Sequence, residues 1–581
     1  MTNCITLIIL FVSGILGIIT NKSVYGKSGT IASFILFLPQ LFEHHKIQLV
    51  KWFSYVGFDF NISYKFTTVE VLLCLFIHII LICIYYAKTA ISYETSTPRK
   101  LGILNIFLCF MCNAILTNNI ILFYVSVETL GLLSSILVSI EKNSEKEATK
   151  IFSINKFASI IFLVGCSILI FETKSFDISA INEMQISKFT AIMLLISCFC
   201  KGAQIPFSSW LIDASKANIC ASILMHAGTI VSIGIIFIAK FSFIFNQHFV
   251  IKQFMIYVGL LTTTYMSFMA LRFNNIKKVI ACLTASSAGI MFIICGTGSY
   301  SLAILYFICH TFFKSLLFLA FAYLISAMSG EKNINIIGGI AKSAPKVADC
   351  IWISFILASG FPFLASFFPK IALSWTLENS GNIVTSIILF LSGIMNIIAI
   401  IRMISGTLYD KPNMNELTYE MATKSNKYNF YPFWMLCIAT LCIPFYMWIL
   451  YQEGGLCLGN KEIILRCISF YYVKYFVSFL LTIAISIRLF NKYKNLERMI
   501  TIEDSNQMHD ITTIFNKCFE VIDNFCKKIA YKLNNEPFQL IYFFGSCLNK
   551  KHMVCLDTHI NWMLSGIAIC VIVAIFTMVI N

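Results

Sequence analysis

Residues 188–214 read KFTAIMLLISCFCKGAQIPFSSWLIDA, and this stretch decides the fold. It starts as an apolar run of membrane length, meets Lys201 inside that run, and then breaks at Gly202 and Pro206. An apolar segment of about 20 residues matches a hydrocarbon core about 30 Å thick. Proline removes a backbone hydrogen bond and frees a carbonyl. Such a break is tolerated at membrane depth only where protein or a water-lined cavity surrounds it. A charged side chain at the bilayer centre costs about 2.5–3.5 kcal/mol on insertion scales. A lysine beside a helix break therefore points to a site; the plainer alternative is a helix-end lysine that snorkels to the interface.

The same reading extends outward. Glu128, His226, Lys240, His310, Lys314 and Lys370 also lie in or at the ends of long apolar stretches. Any one of them can be a snorkelling lysine or a histidine bonded inside a bundle, and Lys240 is left open between the two readings. As a set they read as titratable groups that carry protons or cations through the membrane.

The bulk composition agrees. The chain has 581 residues, 58% of them hydrophobic and 12% charged, and a mean hydropathy of +0.81. No water-soluble domain needs that much apolar surface, and no alternation of period two persists as a membrane barrel would require. The fold class expected is an all-α polytopic membrane protein of about 14–16 transmembrane helices. The N-terminal run Cys4 to Thr20 has no basic region before it, and we read it as a transmembrane helix, not a cleaved signal.

The 22 cysteines are scattered through apolar runs. Cys109 and Cys112 form a C-x-x-C inside one such run without a second pair, which suits buried small hydrophobes. No cysteine group has iron–sulfur spacing and no phosphate loop is present. We expect no cofactor, no metal and no catalytic group. The net charge of +15 reflects basic loops in a membrane chain, with no nucleic-acid partner.

Helices are expected near 4–20, 28–42, 67–87, 101–117, 119–140, 155–172, 188–211, 217–241, 253–271, 277–297, 301–326, 350–372, 384–408, 430–451, 462–487 and 561–580. Basic residues concentrate in alternate loops: Lys88, Arg99 and Lys100; Lys142 to Lys156; Arg272 to Lys278; Lys332 to Lys346; and Lys411 to Lys427. The loops between these, at Asn118, 173–187, 298–300 and 373–383, are nearly free of them, so the basic set faces the cytoplasm.

A second helix, 350–372, carries Gly360 and Pro362 before Lys370. Pro206 and Pro362 lie five helices apart. An odd offset gives the two units opposite orientation, so 101–241 and 253–408 read as inverted five-helix repeats, each with a broken helix. The alternative is two unrelated proline kinks. The domain plan is 1–100 for N-terminal helices, 101–250 and 251–410 for the repeats, 411–490 for C-terminal helices, 491–560 for a polar segment and 561–581 for a terminal helix. Within the polar segment Ile511, Phe515, Cys518, Ile522, Phe525 and Ile529 recur at helical spacing, as in an amphipathic surface helix or a solvated linker.

An isolated ionised carboxylate at Glu128 is costly, so it must be neutral or paired, and Lys201 is the partner expected. Making and breaking that pair would drive a lysine proton on or off. His310 and Lys314 are one turn apart on one helix face, a spacing that suits proton hopping. The relay is then Glu128, Lys201, His226, His310, Lys314 and Lys370.

These residues resemble a known family. Lys201 to Ala214, KGAQIPFSSWLIDA, and Ala221 to Ile230, ASILMHAGTI, are similar to the signature of antiporter-like membrane subunits. Such subunits occur in proton-pumping NADH:quinone oxidoreductase (complex I) and in multisubunit Mrp cation/proton antiporters. His310 to Leu319, Val127-Glu128 and Phe367 to Lys370 resemble the same family, over roughly residues 100–410. The resemblance implies two inverted five-helix bundles, a modulating pair Glu128 and Lys201, Lys314 as central relay and Lys370 as terminal group. Three positions depart from the pattern: Ile212 stands in place of a proline, Ser232 in place of a second lysine, and Pro369 in place of a small or polar residue. Leu556 to Trp562 resembles the tail of the larger, D-type chains of Mrp antiporters.

Two functions follow. The preferred one is a chain of a multisubunit Na⁺(K⁺)/H⁺ antiporter, of the Mrp D type; the other is a proton-pumping membrane-arm subunit of complex I. Either implies other membrane subunits as partners, H⁺ with Na⁺ or K⁺ as cargo, and a multi-pass place in the cell inner membrane. A third reading is a stand-alone carrier or a scaffold that has lost transport; the intact Glu128, Lys201, Lys314 and Lys370 argue against loss.

Overall fold

The computed structural model describes residues 2–42, 45–55, 58–87, 97–142, 144–181, 184–361, 364, 367–379, 382–410, 424, 428–452 and 480–491. All of them lie in one compact unit, Met1–Met499; a second, Ile500–Asn581, lies outside the described residues, as do the amphipathic run 511–529, the helix expected at 561–580 and Pro362.

The helices follow the apolar runs. In order they are α1 (Thr2–Thr20), α2 (Ser23–Phe37), α3 (Thr68–Ala87), α4 (Pro98–Leu116), α5 (Ile120–Ser139), α6 (Glu145–Thr173), α7 (Lys188–Lys201) and α8 (Ser209–Ala214). Then come α9 (Ile219–Ile223), a π-helical turn Leu224–Thr229, α10 (Ile230–Lys240), α11 (Ser242–Asn246), α12 (Phe249–Arg272), α13 (Ile276–Gly296) and α14 (Tyr300–Ala327). The rest are α15 (Ile340–Ser343), α16 (Pro345–Ser359), α17 (Phe367–Asn379), α18 (Ile383–Ile404) with a π-helical turn Ser405–Tyr409, α19 (Tyr431–Gln452) and α20 (Leu480–Asn491). Among the described residues nine helices are long and apolar enough to cross a membrane unbroken. Side chains start several of them: Asn119 Oδ1 accepts from the amides of Ile121 and Leu122 at 2.9 and 3.1 Å, and Asn218 Oδ1 accepts from Ala221 N at 2.7 Å.

The helical membrane class is as expected, and the structure departs from the expected elements at three places. β1 (His45–Tyr55) and β2 (Phe58–Phe66) form an antiparallel hairpin beside the helices, and the helix expected at 28–42 is α2, which ends at Phe37. The signal was present in Phe58, Phe60, Ile62, Tyr64 and Phe66, which alternate with Asp59, Asn61, Ser63 and Lys65. The sixth helix begins at Glu145, well before 155, because Ser144 and the acidic Glu145 and Glu147 open a helix of their own.

Hydrogen bonds sort the loops onto two faces. On one, Lys100 Nζ meets Glu141 at 2.6 Å, Lys150 meets Asp213 at 2.7 Å, Lys216 meets Glu147 at 2.5 Å, and Ile276 N donates to Lys332 O at 2.9 Å. This is the basic face. On the other, Tyr64 of the hairpin pairs with Thr117, Asn118 N donates to Ser63 O at 2.9 Å, and Ile178 N donates to Asn118 O at 2.8 Å. The hairpin is thus extended through 117–119 to 176–178 as one layer. The alternation of basic and neutral loops in the sequence corresponds to these two faces.

Between the faces the two repeats run in opposite senses. The first is α4, α5, α6, the broken α7–α8 and α9–α10, starting at the basic face. The second is α12, α13, α14, the broken α16–α17 and α18, starting at the hairpin face. Where α12 and α13 cross, a Cβ at Gly259 would lie 2.6 Å from Gly289 O, so only glycine allows that approach. The N-terminal helices are joined by Asn105, which accepts from Tyr85 Oη at 2.8 Å and Thr30 Oγ1 at 3.1 Å and donates to Gly26 O at 2.8 Å.

Candidate functional site

The first break caps itself. Beyond Lys201 the helical bonds stop, and the freed carbonyls find partners in the same motif. Gly202 N donates to Cys198 O at 2.7 Å, Gln204 N to Phe199 O at 2.9 Å, and the Trp210 indole Nε1 to Cys200 O at 2.9 Å. Gln204 Nε2 donates to Gly202 O at 2.8 Å. A Cβ at Gly202 would stand 2.4 Å from the Phe292 ring. The motif from Lys201 to Trp210 thus supplies the polar partners that a broken membrane helix needs.

Lys201 is buried, at 1% exposure. Its Nζ donates to Ser159 Oγ at 3.1 Å and to Asn155 O and Oδ1, each at 3.3 Å. Asn155 is free to accept because its own Nδ2 donates to Ile151 O at 3.0 Å. The ammonium also lies 3.1 Å from where a Cβ would stand at Gly131, one turn along α5 from Glu128.

Glu128 is not paired with Lys201 in this structure. Its Oε1 is bonded to Lys156 Nζ, both side chains being about one-fifth exposed, at 20% and 23%. The physical reason is the early start of α6, which puts Lys156 inside the bundle opposite Glu128 instead of in a loop. Asn155 and Lys156, adjacent on α6, serve the lysine and the carboxylate respectively.

The second group lies farther along. His226 sits in the π-helical turn, fully enclosed, with its ring stacked on Phe318 at 5.3 Å. Neither of its ring nitrogens has a hydrogen-bond partner among the described residues, so the nitrogen that carries no hydrogen in the neutral ring is open to a proton. His310 packs edge-on to Phe313 at 5.4 Å and approaches the backbone of Ala227. Lys314 is 3% exposed and within electrostatic range of Lys370, His310 and His226. Lys370 Nζ lies 3.4 Å from Ser359 O, at the carbonyl end of α16, where Gly360 takes a left-handed φ of +89°. The structure therefore gathers His226, His310, Lys314 and Lys370 into one neighbourhood. Lys201, with Glu128 beside it, forms another. The two meet through α10, whose Gly234 packs on Gly202.

Lys240 ends α10 at the hairpin face and donates to Thr117 O at 2.7 Å. Sequence reasoning passed over Lys156 and Lys277, both counted as loop residues, and Asn155, Ser159 and Trp210. Lys277 is buried, donates to Ala217 O at 3.0 Å and lies within electrostatic range of His226. Helical spacing on α6 was the available signal: Asn155 and Ser159 are one turn apart on a single face.

Comparison with known proteins bears on this geometry. Residues 117–395 match the model of the family described as NADH:quinone oxidoreductase/Mrp antiporter, TM. The NADH-ubiquinone oxidoreductase chain 5 of Wickerhamomyces canadensis is 26% identical over 447 residues, which cover 72% of this chain and 69% of that one. Relatives of the same name from Arabidopsis thaliana and Triticum aestivum are matched over 51% of their own length. Among solved structures, a chain of the Mrp complex from Dietzia sp. DQ12-45-1b superposes with a TM-score of 0.67 at 17% identity, covering 81% of this chain and 99% of that one. A chain of respiratory complex I from Thermus thermophilus does so with a TM-score of 0.63 at 15% identity, covering 76% and 99%. These two likenesses concern the fold alone.

Proposed function

We propose that this chain, whose residues 117–395 belong to the family of antiporter-like membrane subunits shared by complex I and Mrp antiporters, is a proton-translocating membrane-arm subunit of an NADH:quinone oxidoreductase. The observation that carries the transport reading is the buried set Lys201, His226, His310 and Lys314, with the partly buried Lys370, held inside the helical bundle beside two helix breaks. Cations are kept in such places for work, because their burial is costly. The chain-5 names of the relatives support the respiratory assignment over the antiporter first expected. The Na⁺(K⁺)/H⁺ antiporter remains the second reading, on the shared family and the Mrp-like fold.

In this reading a proton enters at the Lys201 site, whose neutral partners Asn155 and Ser159 hold the ammonium without pinning it in an ion pair. Glu128 and Lys156 modulate that site from α5 and α6. The proton passes to His226 and His310, then to Lys314, and leaves through Lys370. Redox work elsewhere in the assembly drives it. We place the chain in an energy-converting inner membrane, of a cell or an organelle, among other membrane subunits.

The test is an affinity pull-down of the tagged chain from mild detergent, with co-purifying subunits identified by mass spectrometry. Recovery of quinone-site and iron–sulfur subunits supports the respiratory assignment. Recovery of small Mrp-like membrane subunits without them transfers the chain to the antiporter.

A further inference from the structure

The segment that joins Lys201 to His226 is held by charge at the basic face. α7 stops at Lys201 and α8 starts at Ser209, so no helical ladder carries the position of one to the other. α8 is six residues long, too short to keep its own place. The turn continues past it: Lys216 N donates to Asp213 O at 3.0 Å and Ala217 N to Ala214 O at 3.1 Å, which brings the Asp213 and Lys216 side chains to one side. Asn218 then caps α9, which leads into the π-helical turn of His226.

α6 lies along this segment. In its first turns Glu147 is paired with Lys216 at 2.5 Å and Lys150 with Asp213 at 2.7 Å. Farther in, the Phe157 ring meets that of Phe207, centroids 5.8 Å apart, and Asn155 and Ser159 receive the Lys201 ammonium. Each of the two segments gives one charge of each sign, three residues apart, and the pairs run crosswise. A slip of α6 by three residues would set Lys150 against Lys216 or Glu147 against Asp213, like charges in both cases. A slip of one residue would carry Asn155 and Ser159 about 1.5 Å along the axis and turn them by about 100° away from Lys201. The two lysine side chains are 41% and 42% exposed, and ion pairs that open to solvent add little to stability. What their arrangement specifies is register.

We propose that Glu147, Lys150, Asp213 and Lys216 are positioning residues, a crossed charge clamp that fixes the register of α6 on the broken helix and so keeps Asn155 and Ser159 at the Lys201 ammonium. Glu147 stands about two turns before Asn155, so the clamp acts on the lysine through the position of α6 and not by contact. The proposal rests on the proton-translocating reading above.

The test is turnover-driven pH-gradient formation by the assembled complex in vesicles. Glu147→Lys lowers the rate several-fold in complex that is recovered intact. Adding Lys216→Glu, which restores the pair with its signs exchanged, returns most of the rate. Lys150→Glu and its exchange with Asp213→Lys behave in the same way. If a reversal prevents assembly, Glu147→Gln, which removes the attraction without adding repulsion, is read in its place. A single variant that transports like the wild type, or an exchanged pair no better than the single reversal, overturns the clamp. In a Ser159→Ala background Glu147→Lys causes a smaller loss than in the wild type; a loss by the same factor there also overturns it. Register is read without transport in Glu147→Cys with Lys216→Cys: disulfide yield under diamide falls when Lys150→Glu is added and recovers with Asp213→Lys, and an unchanged yield counts against the clamp. Lys201→Ala separates the two ideas: a turnover-driven gradient that survives in it defeats the proton reading, and the cross-linking yields then decide the clamp alone.

Discussion

Lys156, on α6, is the cation bound to Glu128, while Lys201 one turn away is held by neutral oxygens. The carboxylate and the buried lysine are neighbours across Gly131 without being bonded. Under the proposed function, a modulating charge would act on Lys201 through space, and the Lys156 ammonium is the group whose movement would release Glu128 toward Lys201.

The pairing can be read by a double-mutant cycle. Glu128→Gln and Lys156→Met should be non-additive, with a coupling of about 1 kcal/mol or more in the stability of the assembled complex. Glu128→Gln and Lys201→Ala should be nearly additive in the same measurement. The reverse pattern would restore Lys201 as the resting partner.

Lys201→Ala should abolish proton transport while the chain still assembles, measured as pH-gradient formation alongside recovery of the intact complex. Glu128→Gln should impair transport less completely, since it removes a modulating charge and not a relay site. Normal transport by Lys201→Ala defeats the relay assignment.

Gly131→Ala separates stability from transport. Alanine in place of glycine inside a helix is worth about 0.5–1 kcal/mol. Here the new Cβ would meet the Lys201 ammonium at 3.1 Å and Asn155 Oδ1 at 3.2 Å. The side-chain ends yield more easily than the helix, so thermal stability should hold or rise while the transport rate falls.

Gly360→Ala tests the second break. Its φ of +89° strains any residue with a Cβ, at about 1–2 kcal/mol. The same Cβ would stand 3.0 Å from Lys370 Nζ. The expected result is reduced transport with modest loss of Tm. Transport equal to wild type would remove Lys370 from the carbonyl end of α16.

Trp210→Phe keeps the ring and removes the N–H that caps Cys200 O. Cys200 O keeps the Ala203 amide at 3.3 Å, so the variant loses the shorter of its bonds, about 0.5–1.5 kcal/mol, which should appear as a lower Tm of the assembled complex. An unchanged Tm would mean that the first break does not depend on the indole.

The breaks and the buried lysines were legible in the sequence for different reasons. Gly202 and Pro206 disrupt a pattern that is local in the chain, and Lys201 stands out against its apolar neighbours without any knowledge of packing. Glu128 was visible in the same way, but its partner was not. Lys156 read as a loop residue because the polar first turns of α6 conceal a continuous helix, and only the approach of α6 to α5 chooses one lysine over the other.

What the sequence by itself determined is the membrane class, the alternation of faces, the inverted repeats and the set of costly buried cations. Each of these follows from the length of an apolar run, the cost of placing a charge within it, or the parity of the spans, all of which are counted along one dimension. The tertiary structure alone decided that Asn155 and Ser159 receive the Lys201 ammonium and that Trp210 caps the broken helix. Those depend on side chains from three or four helices arriving at one point, and their distances are set by packing between helices, where sequence separation carries no information.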